Sequence, residues 1–319
     1  MTAVFAALLA FAAGPLQGVP DCAARLEREM AAMGTTLRVQ VCAQSPEAAL
    51  AATEAAFAEV RRLNGVLSSW TLESEVGRLN SGRGRVAVST ELFALLSEVG
   101  RWVAQTGGAF DPAVGALVDA WQVRGPGRTP SAEQVEAALE LTGWRHLQLL
   151  DSQVVVRGPA GWWLDTGGFG KGAALRSVAA VLRRAGVQQA EVDFGGQLLI
   201  LGQERVIAVA HPRARQHAVV QLKVRDVSVS TSSQSERSGH ILDPRTGKPV
   251  APWGSVTVVA TDALVADALS TALFVMGPHA ALDWARKRPD IGVLILENTT
   301  NQPRVTWNAA MSRFMMESH

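Results

Sequence analysis

The chain has 319 residues, room for one large domain or two ordinary ones, with 48% hydrophobic and 18% charged residues. That balance describes a compact globular protein and excludes a disordered one. A net charge of +1, with no basic run, argues against a nucleic-acid partner.

Residues 1–19 hold an apolar run too short for a membrane span and suited to the core of a signal peptide. They lack the usual Lys or Arg at the start, and a buried N-terminal helix is the alternative. Asp21 before Cys22 makes a poor lipid-attachment site. Only Cys22 and Cys42 exist, so they could pair in an exported chain but do not form a zinc site. Residues 20–319 are read as one domain.

Leu37 to Cys42 alternates as a half-buried strand. Ser45-Pro46 then caps and opens an alanine-rich helix to about Leu63. Ser68 to Asn80 reads as loop and short helix. Thr90 to Thr106 is an amphipathic helix stopped by Gly107-Gly108, and Asp111-Pro112 opens another through Trp121. Gly125 to Pro130 is a loop, and Ser131 with Gln134 resembles a capping box for a helix to Leu141. Strands are expected at Val154–Val156, Glu191–Phe194, Leu198–Leu201, Val206–Ala210, Val219–Val224, Ser255–Ala260 and Val293–Leu296. A helix from Ala263 to Met276 interrupts them. Without regular βαβ alternation, an α+β fold follows, with mixed sheets and packed helices.

The stretch WLDTGGFGKGAALRSVAAVLRRAG, from Trp163 to Gly186, is the most informative. A short apolar strand runs into Asp165, then a glycine cluster carrying Lys171, then a helix from Ala173 to Ala185. Strand, glycine turn and helix N-terminus make an anion cradle, although a plain tight turn would look the same. It is neither a Walker A loop nor G-x-G-x-x-G. Asp267, Ser270 and Thr271 sit three and four apart, so their oxygens share a helical face. A carboxylate beside hydroxyls suits a hard cation, and an internally hydrogen-bonded polar face is the alternative. His240 precedes a turn at Asp243 to Gly247 and follows a hydroxyl-rich loop holding Thr231, Ser232, Ser233 and Ser235. Asp193-Phe194-Gly195-Gly196 ends a strand in a bulge or a close backbone approach. No G-x-S-x-G occurs, which leaves an acyl-enzyme hydrolase little support.

Taken in order, Met33-Gly34-Thr35, SSWTLESEVGRLN, AFDPAVGALVDAW, LDTGGFGKGAAL, DFGGQLLILG, HILDPRTGKPV and ADALSTALFVMG resemble the ApbE family, the FAD:protein FMN transferases. The resemblance implies a single T-fold-like domain that binds FAD and Mg²⁺ and moves FMN onto a Ser or Thr of a partner protein, releasing AMP. It also implies work outside the cytoplasm, in the periplasm or at the inner membrane, on a subunit of a membrane redox complex, with membrane association through the leader a possibility.

By position, the resemblance gives the metal to Asp267, Thr271 and Ser270, with the carbonyl of Gly168. The FAD site would take Met33, Trp70, Ala109, Phe110, Asp111, Asp165, Lys171 and Ile241. His240 would be the base and Lys171 a catalytic cation. The loop from Thr231 to Arg237 departs from the family's usual Ser-Gly-aromatic run, which bears on acceptor specificity. Two alternatives stay open at this point: hydrolysis of FAD to FMN and AMP, and a flavin-binding protein without catalysis.

Overall fold

The computed structural model describes residues 9–10, 22–150, 153–235, 239–300 and 302–316. Apart from a two-residue strand, the expected leader lies outside the described residues. No helix among them is long and apolar enough to cross a membrane.

In chain order the structure opens with β1 (Leu9–Ala10), β2 (Ala24–Ala32) and β3 (Thr35–Ala43). Helices α1 (Pro46–Leu67) and α2 (Glu75–Ser81), strand β4 (Arg85–Ala87) and helix α3 (Thr90–Gln105) follow. Then come α4 (Gly115–Ala120), α5 (Ala132–Glu140), β5 (Gln148–Leu150), β6 (Val154–Val156) and α6 (Gly170–Arg184). The next run is β7 (Gln189–Phe194), β8 (Gln197–Leu201), β9 (Arg205–His211), β10 (Ala214–Val224), β11 (Val227–Ser233) and β12 (Gly254–Ala260). The chain closes with α7 (Ala263–Met276), α8 (Pro278–Ala285), β13 (Gly292–Glu297), β14 (Arg304–Trp307) and α9 (Ala309–Ser312).

An eight-stranded sheet in the order β14-β13-β12-β11-β8-β7-β3-β2 organises the molecule. Helices and sheets are mixed as expected, and each described strand pairing is antiparallel. On one face, apolar residues of α1 and α6 (Phe57, Val60, Leu175, Val178) pack on Leu37, Val39 and Val192. Helix α7 extends that layer over Val256 and Val258, and α3 joins the same core. On the other face, β9 and β10 cover Ile200, Val229 and Leu294. A third small sheet, β4-β6-β5, lies apart from these.

Local chemistry sets several ends. Ser45 Oγ accepts from the Ala48 N–H at 3.2 Å, with Pro46 at the first helical position of α1. The capping box of α5 is present in both directions, between Ser131 and Gln134. Cys22 and Cys42 form a disulfide across the start of the β2–β3 hairpin.

Three expectations need correction, and one strand lies where none was expected. Strand β2 was not foreseen: its alternating charges, RLERE, look helical by composition, but the side chains alternate across an edge strand. The supposed loop at Thr231 to Ser233 is the end of β11, because its hydroxyls find partners inside the sheet, Thr231 with Thr257 Oγ1 at 2.8 Å among them. The segment before Asp165 is not a strand. The Asn80 side chain stands in for a neighbour there, donating to the Leu164 carbonyl at 3.0 Å and accepting from its N–H at 2.8 Å. Asp111 does not open a helix, which begins only at Gly115, because its carboxylate accepts from the Ala113 and Trp144 N–H groups at 2.9 and 2.7 Å.

Candidate active site

Gly172 decides how the site is built. A Cβ there would lie 2.4 Å from the Ala263 carbonyl and 2.7 Å from the Asp267 Cβ. Only glycine lets the N-terminus of α6 press this close to α7. The contact brings the Gly172 N–H to Asp267 Oδ2 at 2.8 Å and Lys171 Nζ to within 3.5 Å of Oδ1. Asp267 is 4% exposed. The anion cradle expected at this helix start is thus partly filled by the chain's own carboxylate. The helix also begins at Gly170, earlier than the glycines suggest.

One turn on, Thr271 Oγ1 donates to the Asp267 carbonyl at 3.3 Å. Gly168 faces it: a Cβ on Gly168 would come within 3.8 Å of Thr271 Oγ1 and 3.4 Å of the Phe110 ring. These residues share a cavity of about 330 Å³ with Lys171, Asp165, His240 and Ile241. Ala109, Phe110 and Asp111 line it from the α3–α4 connection, and Phe110 meets Phe169 edge to face at 6.5 Å. The cavity is large enough for a small-molecule site.

Ser270 goes elsewhere. It is fully buried and outside the cavity lining. Its hydroxyl accepts from Ser232 Oγ at 2.9 Å, lies 3.1 Å from Ser230 Oγ and donates to the Asp267 carbonyl at 3.0 Å. It ties α7 to β11. Helical spacing groups it with Asp267 and Thr271, but the sheet claims its side of the helix.

His240 and Ile241 are presented by Gln234, which sequence reasoning missed. Gln234 is 4% exposed, and its side chain accepts from the His240 N–H at 3.2 Å. It donates to the carbonyls of Ile241 and Val250 at 2.9 and 3.0 Å. The following turn docks on α4 through the Trp121 indole, which donates to the Gly247 carbonyl at 2.8 Å. Nothing in the serine-rich run marks that glutamine.

Met33 and Trp70 are not brought into the cavity lining. Met33, at φ +46°, and Gly34, at φ +78°, form the two-residue turn of the β2–β3 hairpin. The Gly195-Gly196 pair is likewise a hairpin turn, between β7 and β8, at φ +56° and +84°. It does line the cavity. Trp70 is 71% exposed and lines a second, more open cavity of about 850 Å³, together with Arg124 and Trp163.

Burial raises the Asp111 carboxyl above its ordinary range, against the Trp144 and Ala113 N–H groups that favour its ionised form. Among the described residues no group of three or more His, Cys, Asp or Glu could hold a metal. A cation here would depend on one carboxylate, a hydroxyl, a carbonyl and water. That oxygen set fits Mg²⁺, which keeps several waters and takes few protein carboxylates.

The ApbE family model matches residues 33–295. The chain belongs to the ApbE family. Among its relatives, the FAD:protein FMN transferase of Treponema pallidum is 30% identical, over 88% of each chain. The protein of the same name from Klebsiella pneumoniae is 30% identical over 80% of each. The ApbE protein of Thermotoga maritima superposes with a TM-score of 0.83 at 30% identity, covering 92% of this chain and all of that one. The flavin transferase ApbE of Vibrio cholerae gives 0.81 at 26% identity, covering 91% and 99%. These ApbE structures share the α+β architecture described above.

Proposed function

We propose that this ApbE chain transfers the FMN half of FAD to a Ser or Thr hydroxyl of an acceptor protein, with Mg²⁺ as cofactor. The observation that carries this is the convergence of Lys171, Asp267, Thr271 and His240, from three distant stretches, on one cavity. FAD binds with its pyrophosphate against Lys171, whose ammonium offsets phosphate charge. Asp267, Thr271 and the Gly168 carbonyl would hold the metal, which would supply charge neutralisation at the phosphates.

His240 takes the proton from the acceptor hydroxyl, an imidazole being an efficient base near neutral pH. The hydroxyl oxygen attacks the phosphorus of the FMN half. A new O–P bond forms, the P–O–P bridge breaks, and AMP leaves with the electron pair. Phe110 and Phe169 line and back the cavity with apolar surface, which limits competing water.

The acceptor is a subunit of a membrane redox complex reached outside the cytoplasm. The Cys22–Cys42 disulfide supports that location, since such bonds persist in oxidising compartments.

The deciding experiment mixes protein, FAD, Mg²⁺ and an acceptor domain and reads intact mass. A gain of one FMN, lost with EDTA, is expected. AMP release without a mass gain would mean hydrolysis, and neither product in the presence of bound FAD would mean a binding protein.

A further inference from the structure

Arg124 lies on the wall between the two cavities. It lines the open one, and its ion-pair partner Asp165 lines the candidate active site. The guanidinium stacks on two indoles at once, 4.2 Å from the Trp70 ring centre and 4.6 Å from that of Trp163. Its edge is committed as well: Nη2 is 3.0 Å from Asp165 Oδ1, and Nη1 donates to the Ser69 carbonyl at 2.9 Å. Trp163 is held in turn by its indole N–H on Asp119 Oδ2 at 2.8 Å.

We propose that Arg124 is a positioning residue for the flavin nucleotide, an inference that rests on the function argued above. Two physical effects combine. Trp70 is largely exposed and would swing freely, but the cation over its ring holds the indole flat in the second cavity, one ion pair away from Asp165 of the candidate active site. A fixed aromatic face stacks on a planar ring system at lower entropic cost than a mobile one. The second effect is charge. Asp111, Asp165 and Asp267 all line a cavity that must admit a pyrophosphate, with Lys171 as the opposing cation. Arg124 offsets Asp165 from behind, without occupying the space the ligand needs.

Arg124 touches none of the residues that carry the phosphoryl chemistry, so its loss changes affinity and leaves turnover alone. Titration with FAD, followed by flavin fluorescence, should give R124A a Kd about tenfold weaker or more, with kcat at saturating FAD within about twofold of wild type. R124K keeps a cation for Asp165 but cannot stack on both indoles, so its Kd should be weaker by about threefold. A wild-type Kd in both variants, or in R124K alone where R124A does not fold, overturns the proposal. So does a loss of kcat with Kd unchanged. Wild-type protein that binds no FAD overturns the reading of the site itself, whereas wild-type binding matched by R124A overturns only the role of Arg124.

Discussion

Asp267 carries two duties on two oxygens. Oδ2 accepts from Gly172 and holds the helix junction, while Oδ1 faces Lys171 in the cavity. D267N can keep the first duty, because an amide oxygen still accepts the Gly172 N–H. We therefore expect D267N to fold with little change in Tm while FMN transfer and Mg²⁺ binding are lost; transfer at the wild-type rate would remove Asp267 from the metal site. H240A should bind FAD normally and lose about 10²–10⁴-fold in transfer rate, measured by acceptor mass. Asp193 offers a pH test. Burial raises its carboxyl above the ordinary 3.8, against the Gly196 N–H and Arg38, and Glu29 adds to the rise. Between 3.8 and that raised value the native state binds more protons than the unfolded one, so stability falls as pH climbs through the window. D193N should flatten that part of a urea-unfolding profile, and an unchanged slope would assign it to other carboxylates. At this scale the residue types were legible, because Lys, Asp, Thr and His stand in recognisable runs. Ser270 shows the limit: spacing of three and four puts it on the right helix but cannot say which neighbour it faces.

The junction of α6 and α7 is the element on which the site depends. G172A would drive a methyl into the Ala263 carbonyl and the Asp267 Cβ, both too close to yield without moving a helix. We expect a loss of about 1–3 kcal/mol in stability, with a larger loss of transfer than of FAD binding, because the Asp267 carboxylate shifts with α7. The start of α7 is braced separately. Asp262 caps it, accepting from Leu264 at 2.9 Å, and pairs with Arg176, which also holds Glu98 of α3 in a bidentate bridge. D262A should lower stability by about 1–2 kcal/mol in chemical denaturation, a cap and an exposed pair being lost together. Helices α1, α3, α5 and α7 announced themselves through caps or periodicity, whereas α8 and α9 went unread. β11 did not announce itself either, since its alternation stops after Val227 and Val229 and runs on into hydroxyls, and the core takes up Ser228, Ser230 and Ser233 as well.

At the scale of the molecule, the sheet draws β2 and β3 from the start of the chain beside β7, and β13 and β14 from its end. The disulfide staples the outermost hairpin, with a sequence separation of 20 residues. Closing a loop of that size restricts the unfolded chain by about 3 kcal/mol, so C22S should lower stability by that order under oxidising conditions. Reductant should bring wild type to the C22S value and leave C22S unchanged.

The amino-acid order by itself determined the α+β class, the capped helices α1, α3 and α5, and the family, through seven short runs whose chemistry is local. Tertiary structure alone decided that Gly172 must be glycine, that Gln234 presents His240, that Ser270 turns to the sheet and that Arg124 joins two tryptophans to Asp165. Each of those depends on partners between 6 and 95 residues away in the chain. Local pattern records a residue's propensity, whereas the packing of distant elements fixes the neighbour its side chain meets.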